Sequence, residues 1–327
     1  MNFVVSEDEA ALAEGIRALC AGRFSMEKLR STEGSPTNLA ASDWRELGDA
    51  GVFSIRMAED LGGLGLGMVE SVVVFEELGK ALVPGPLVAA ALGAGLIDGA
   101  SDGSAIVGSI ARPPHGTTSL IGHLGALDSL IVVDDDGLSV VDPAEVLSSG
   151  AAPAERSLDP LTPMWIVRSS LPEGERIGGP EAAIGWRYGQ ALLSSALCVG
   201  IAAQTLGMAV EYARSREQFG RPIGSFQAVK HICADMLVRV ELARVALHAA
   251  AVISDDPEVG DPIRTMAGAS LLSTHAALEN SRKCIQVHGG MGFTWEVPAH
   301  LYLMRSRVLE DACRAGADMA ETVAERL

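Results

Sequence analysis

From Glu181 onward the chain reads as helix almost to its end, and this stretch decides what the rest can fold into. Gly189 to Tyr212, Ser225 to Ile253 and Arg264 to His288 are long, apolar and rich in alanine. Small side chains let helix axes approach closely, and segments apolar over so much of their length must pack on one another as a bundle. Asp255-Asp-Pro-Glu-Val-Gly-Asp-Pro262 reads as a loop by composition, and Pro298 to Glu325 as one or two further helices. Between about Ala100 and Pro180, Gly, Pro, Ser and Asp become frequent. Two short β-branched runs, Leu130-Ile-Val-Val133 and Leu138-Ser-Val-Val141, flank Asp134-Asp-Asp-Gly137, which predicts a hairpin in a small β domain of five or six short strands. Upstream, Ser6 and Glu9 have capping-box spacing ahead of Ala11, Leu12, Ile16 and Leu19, so the N-terminus is expected to be an amphipathic helix. Helices over Asp43 to Ala50, Val69 to Leu82 and Leu87 to Ile97 follow. The expected organisation is mainly α with a small β domain: helical residues 1–99, a reduced β domain at 100–179 and a helical bundle at 180–327.

Composition narrows the partners. Acidic residues outnumber basic ones, 42 to 25, and the net charge of -17 argues against nucleic acid or an anionic membrane as the main partner. No uninterrupted apolar run reaches the ~18 residues of a membrane span, and Ser6-Glu-Asp-Glu9 is unlike a signal peptide, so a cytoplasmic location is expected. Five scattered cysteines without a C-x-x-C pair read as small buried hydrophobes, not as a zinc site or a disulfide framework. Glu59-Asp-Leu-Gly-Gly-Leu-Gly-Leu-Gly67 fits neither nucleotide-binding glycine pattern and is expected to be a tight turn between helices.

Two stretches carry candidate chemistry. In Tyr212 to Lys230, a helix bearing Arg216 runs into a turn at Gly220-Arg-Pro222 and restarts at Ser225, so Arg216 and Phe219 sit beside a helix break. The planar donor fork of Arg216 suits phosphate oxygens, and the face of Phe219 suits a ring; an ion pair and a core aromatic are the plainer uses of the same residues. In Gln286-Val-His-Gly-Gly-Met-Gly-Phe293, where one glycine would end the helix, three leave backbone bare for a ligand.

Together these stretches resemble the acyl-CoA dehydrogenase family: Arg216-x-x-Phe-Gly-x-Pro-Ile-x-x-Phe-Gln-Ala-Val-Lys230, then Gln286-x-x-Gly-Gly-x-Gly-Phe293, with Leu61-Gly-Gly-Leu-Gly-Leu-Gly67 and Glu76-Glu-Leu-Gly-Lys80 similar to its N-terminal domain. The resemblance implies an α–β–α architecture with a C-terminal four-helix bundle. It also implies FAD at a subunit interface, its pyrophosphate and adenine half held by Arg216, Phe219, Gln286, Gly289 and Gly290. The implied reaction is α,β-desaturation of an acyl-CoA thioester, in which a Glu takes the α proton while the β hydrogen leaves as hydride. The two places where members keep that Glu fall here on Gln190 and Arg314. Neither is an acid. The Thr-Glu-Pro and Lys-x-x-Ile-Thr segments that line the flavin in longer members are missing too. The chain is therefore most similar to the short subunits of actinobacterial α2β2 acyl-CoA dehydrogenases that act on CoA esters of steroid side chains, where a longer homologous partner would supply the Glu. Two alternatives stay open: a homomeric enzyme with its base relocated to Glu310, and a non-catalytic structural subunit.

Overall fold

The computed structural model describes residues 6–33, 35, 39–114, 116–314 and 319–326. Helices come first: α1 (Glu7–Arg23), α2 (Met26–Ser31), α3 (Ala41–Asp49), α4 (Met68–Lys80) and α5 (Leu87–Gly93). Seven strands then interleave with one short helix: β1 (Val107–Ala111), β2 (Ser119–Gly122), β3 (Ser129–Val133), β4 (Leu138–Val141), α6 (Pro143–Ser148), β5 (Ala152–Pro153), β6 (Met164–Val167) and β7 (Glu175–Gly178). The remainder is α7 (Pro180–Ser215), the two-residue strands β8 (Glu217–Gln218) and β9 (Arg221–Pro222), α8 (Gln227–Asp255), α9 (Pro262–His288), α10 (Ala299–Arg314) and α11 (Met319–Glu325). The chain groups into two compact units, one of Met1–Met26, Val72–Val83 and Ala191–Leu327, the other of Glu27–Ser71 and Pro84–Gln190.

In the second unit, β1 runs parallel to β3, while β4 and β7 continue that sheet antiparallel; β2, β6 and β5 form a separate antiparallel sheet. Alternation along β3 sends Ile131 and Val133 into one core with Val107 and Trp186, and Leu130 and Val132 into another with Val146 and Val167. A strand buried on both faces must be apolar throughout, which is why Leu130–Val133 shows no alternation. The hairpin expected at Asp134–Gly137 is present: Asp134 N–H donates to the Gly137 carbonyl at 3.0 Å. Arg112 and Arg176 reach the Asp134 carboxylate at 3.2 and 3.0 Å. The Gly62–Gly67 stretch is a turn, as expected, folded back by N–H bonds from Leu64, Gly65 and Leu66 to the carbonyls of Ser54, Met57 and Ile55.

The first unit is the helical bundle with α1 and most of α4. Asn280 on α9 donates to the carbonyls of Ala202 at 3.2 Å and Met236 at 3.0 Å and accepts from Arg239 at 3.1 Å, so one buried amide fastens α7, α8 and α9. Close contact between α4 and α7 depends on glycine, since a Cβ on Gly200 would lie 2.1 Å from the Glu76 carbonyl oxygen. The expected capping box starts α1: Ser6 Oγ accepts from Glu9 N–H, and Glu9 accepts from Ser6 N–H. By length and composition, α7 is apolar enough to cross a membrane, but 67% of its most apolar window is buried inside the protein, as in a core helix.

Some boundaries differ from expectation. Helix α7 begins at Pro180, because proline suits a first helical position, whose N–H would be unbonded anyway. Ser225 caps nothing; it ends a 3-10 turn, and Phe226 stands at the α8 N-cap with no side-chain bond. The β region holds seven strands instead of five or six, one of them, β5, too short to leave a pattern.

Candidate cofactor site at one end of the bundle

Arg216 and Phe219 follow the last turn of α7. Strands β8 and β9 pair Gln218 with Arg221, leaving Phe219 and Gly220 as a two-residue tip with φ of 56° and 77°. Two consecutive positive φ values are the signature of a type I′ turn, whose twist matches that of the flanking strands. Phenylalanine is a costly choice for the first of these positions, which favours Asn, Asp or Gly. Its ring is nevertheless 92% exposed, held only edge-on against Phe226 at 6.1 Å. Arg221 covers the Phe226 face at 4.2 Å, and the Ile223 N–H closes the hairpin onto the Arg216 carbonyl at 2.8 Å. The Arg216 guanidinium is exposed and has no ion-pair or hydrogen-bond partner among the described residues.

Gln286, Gly289 and Gly290 sit where α9 ends. Gln286 is exposed, its side chain without a hydrogen bond among the described residues. The three glycines differ in what the fold asks of them. Gly289 takes φ 59° to stop the helix, and a Cβ on Gly292 would lie 2.5 Å from the Ile285 carbonyl oxygen, so both serve the fold. Gly290 has ordinary φ and nothing within 4 Å of a built Cβ. Its missing side chain leaves backbone open toward solvent and answers no internal need.

The fold brings the two motifs to the same end of the bundle. Tyr212, four residues before Arg216, stacks on His288, the residue before Gly289, with ring centroids 4.3 Å apart and 25° between planes. Ile223, Val229, Cys284, Ile285 and Val287 pack in a common cluster with Tyr212. The Tyr212–His288 stack is not legible in the sequence, because the two rings belong to different motifs and meet only through tertiary packing. Gln190 is half-buried on α7, in the other compact unit. Arg314 is the last residue of α10, its side chain outside the described residues. The carboxylate of Glu310 accepts a hydrogen bond from Arg307 at 2.9 Å, and Glu241 is likewise ion-paired, with Arg244. Glu211 is exposed.

Beside the site runs a network of charges. Arg244 grips Glu76 with two bonds of 3.1 and 2.8 Å, Lys80 reaches Glu76 at 3.0 Å and Glu77 at 2.7 Å, and Arg17 grips Glu77 at 3.2 and 3.0 Å. Burial alone pushes the Glu76 carboxyl up, but the hydrogen bonds from Arg244 and the charge of Lys80 outweigh it and hold the group below the ordinary carboxylate range. Burial pushes the Cys20 and Cys284 thiols up to about 12, so neither is a thiolate nucleophile at neutral pH.

An exposed guanidinium, an aromatic held out of the fold at the expense of backbone strain, a free amide and a strip of bare backbone suit a ligand with phosphates and a flat ring, as FAD has. Comparison with known proteins gives the class. The acyl-CoA dehydrogenase C-terminal domain model matches residues 188–325, and the N-terminal domain model matches residues 6–102. Acyl-CoA dehydrogenase IpdE2 of Mycobacterium tuberculosis is 33% identical over 312 residues, covering 92% of this chain and 91% of that protein. Acyl-CoA dehydrogenase FadE34 of the same organism is 33% identical over 336 residues, covering 94% of this chain but 46% of FadE34, so the chain spans about half the length of that relative. Among solved structures, the ChsE4-ChsE5 complex from Mycobacterium tuberculosis superposes with a TM-score of 0.82 at 25% identity, over 100% of this chain and 98% of the matched one. The chain belongs to the acyl-CoA dehydrogenase family, a family of oxidoreductases, and has its mainly helical fold with a small β region.

Proposed function

We propose that this chain is one subunit of a heteromeric, FAD-dependent acyl-CoA dehydrogenase. It holds the adenine and pyrophosphate side of a shared FAD, while a longer homologous subunit supplies the catalytic Glu. One observation carries the reading: Arg216, Phe219, Gln286 and Gly290 all stand open at one end of the bundle with no duty in the fold, while the family's two base positions hold an amide and a guanidinium.

When bound, FAD accepts the β hydrogen of the acyl-CoA thioester as hydride. Arg216 offers two parallel N–H donors to pyrophosphate oxygens, a charge-assisted pairing that a lysine could not reproduce. The Phe219 ring gives the adenine half an apolar face, Gln286 can pair with a polar edge of the base, and Gly289 and Gly290 let backbone come close. Neither Gln190 nor Arg314 can accept the α proton, because an amide is too weak a base and a guanidinium stays protonated. Glu310 is a poor substitute while Arg307 holds its carboxylate. That ChsE4-ChsE5 was solved as a complex of two different chains fits the division of labour, and a CoA ester of a steroid side chain is the substrate to try first.

Co-expression with a full-length homologue should give a yellow complex with one FAD per pair, and Arg216→Ala should strip it of flavin while leaving the thermal midpoint of the isolated chain unchanged. Unchanged flavin in Arg216→Ala would mean a purely structural subunit. A purified chain that alone binds one FAD per subunit and desaturates an acyl-CoA would sink the proposal.

A further inference from the structure

A cleft of about 670 Å³ lies against the Tyr212–His288 stack, walled by α1, the end of α4, the last turns of α7 and the start of α10. This volume is in the range of small-molecule sites. None of the five residues assigned above to FAD lines it.

Its chemistry follows from which wall groups are already engaged. The two cations in the wall, Arg17 and Lys80, are held by Glu14, Glu76 and Glu77, so the cleft has no free cation for an anion. The carboxylates of Glu211 and Glu296 also line it; both residues are exposed, and neither carboxylate has an ion pair among the described residues. The independent observation is His288, only 7% exposed. A carbonyl can only accept, so the 2.8 Å bond to the Cys284 carbonyl fixes the proton on Nδ1. In the neutral ring, Nε2 is then an acceptor, with no partner among the described residues, on a side chain that lines the cleft. Two carboxylates and an imidazole lone pair give the cleft three acceptors without partners among the described residues, and the faces of Tyr212 and Phe24 in the same wall attract positive charge. A metal fits poorly, since no group of three or more metal-ligating side chains occurs among the described residues.

We propose that this cleft binds an organic cation whose alkylammonium or guanidinium groups donate to acceptors spread along its wall, Glu211, Glu296 and Nε2 of His288. Either a free polyamine or basic side chains of an assembled partner could present such groups. Isothermal titration of spermidine into the full chain should show saturable one-site binding. Glu211→Gln and Glu296→Gln, both exposed and outside the packed core, should each weaken it about tenfold, the loss of one charge-assisted hydrogen bond, with thermal midpoints unchanged. Retention of spermidine by the assembled complex would point to a free amine. Displacement on assembly, with both variants weakening assembly, would point to a partner side chain. If both variants bind spermidine as the wild type does, the attraction is only the diffuse field of an acidic chain and the proposal fails; it fails equally if binding does not saturate.

Discussion

Phe219 is the residue at which fold and function conflict. A left-handed conformation costs a residue with a Cβ roughly 1–2 kcal/mol, and a solvent-exposed ring recovers little of that through packing. Phe219→Asn should therefore raise the unfolding free energy by about 1 kcal/mol while lowering flavin retention by the complex, read by chemical denaturation and by absorbance of the bound cofactor. A purely structural hairpin would gain the stability and lose nothing. Gly290 allows the complementary test. The fold leaves room for a methyl group there, so Gly290→Ala should keep the thermal midpoint of the isolated chain and weaken flavin binding by the complex about tenfold by obstructing the approach to bare backbone.

At the scale of elements, α4 is the part most exposed to disturbance, because it meets α7 through a glycine and α8 through a buried ion pair. Gly200→Ala would force a Cβ to within 2.1 Å of the Glu76 carbonyl oxygen and should destabilise the bundle by about 1–3 kcal/mol. Glu76 also gives the stability a definite dependence on pH. Its folded carboxyl lies below the unfolded value, so its stabilisation is complete above about pH 5 and is lost as pH falls through the lower, folded value. Glu76→Gln removes one of two carboxylates from Arg244, which keeps Glu241, and Lys80 keeps Glu77. It should cost about 1–3 kcal/mol at neutral pH and flatten the acid limb of the stability curve, measured by urea unfolding across that range. The long helices, the capping box at Ser6 and the Asp-Gly hairpin were legible because helical period, cap spacing and turn residues are local signals. So were both candidate ligand-binding motifs, as sequence strings. Strands of two residues carry no period, which hid β8 and β9 and with them the left-handed Phe219. The cleft was hidden for a different reason: Arg17, Lys80, Glu211 and Glu296 meet only through tertiary packing.

At the scale of the molecule, the proposed division of the site between two subunits requires an assembly. Leu237, Val238, Leu242 and Val245 share one face of α8, and each is 49–56% exposed, an apolar stripe that a lone chain would leave in water. Leu242→Asp should leave the isolated chain folded but shift the co-expressed complex toward separate chains in light scattering. The β8–β9 tip also bears on how fast such an assembly takes up its cofactor. Two paired strands and a closed type I′ turn fix Phe219 before any ligand arrives, so capture requires no loop to order itself. Association should then proceed near the pace set by diffusion and charge, and the strength of binding should reside in how slowly the flavin departs.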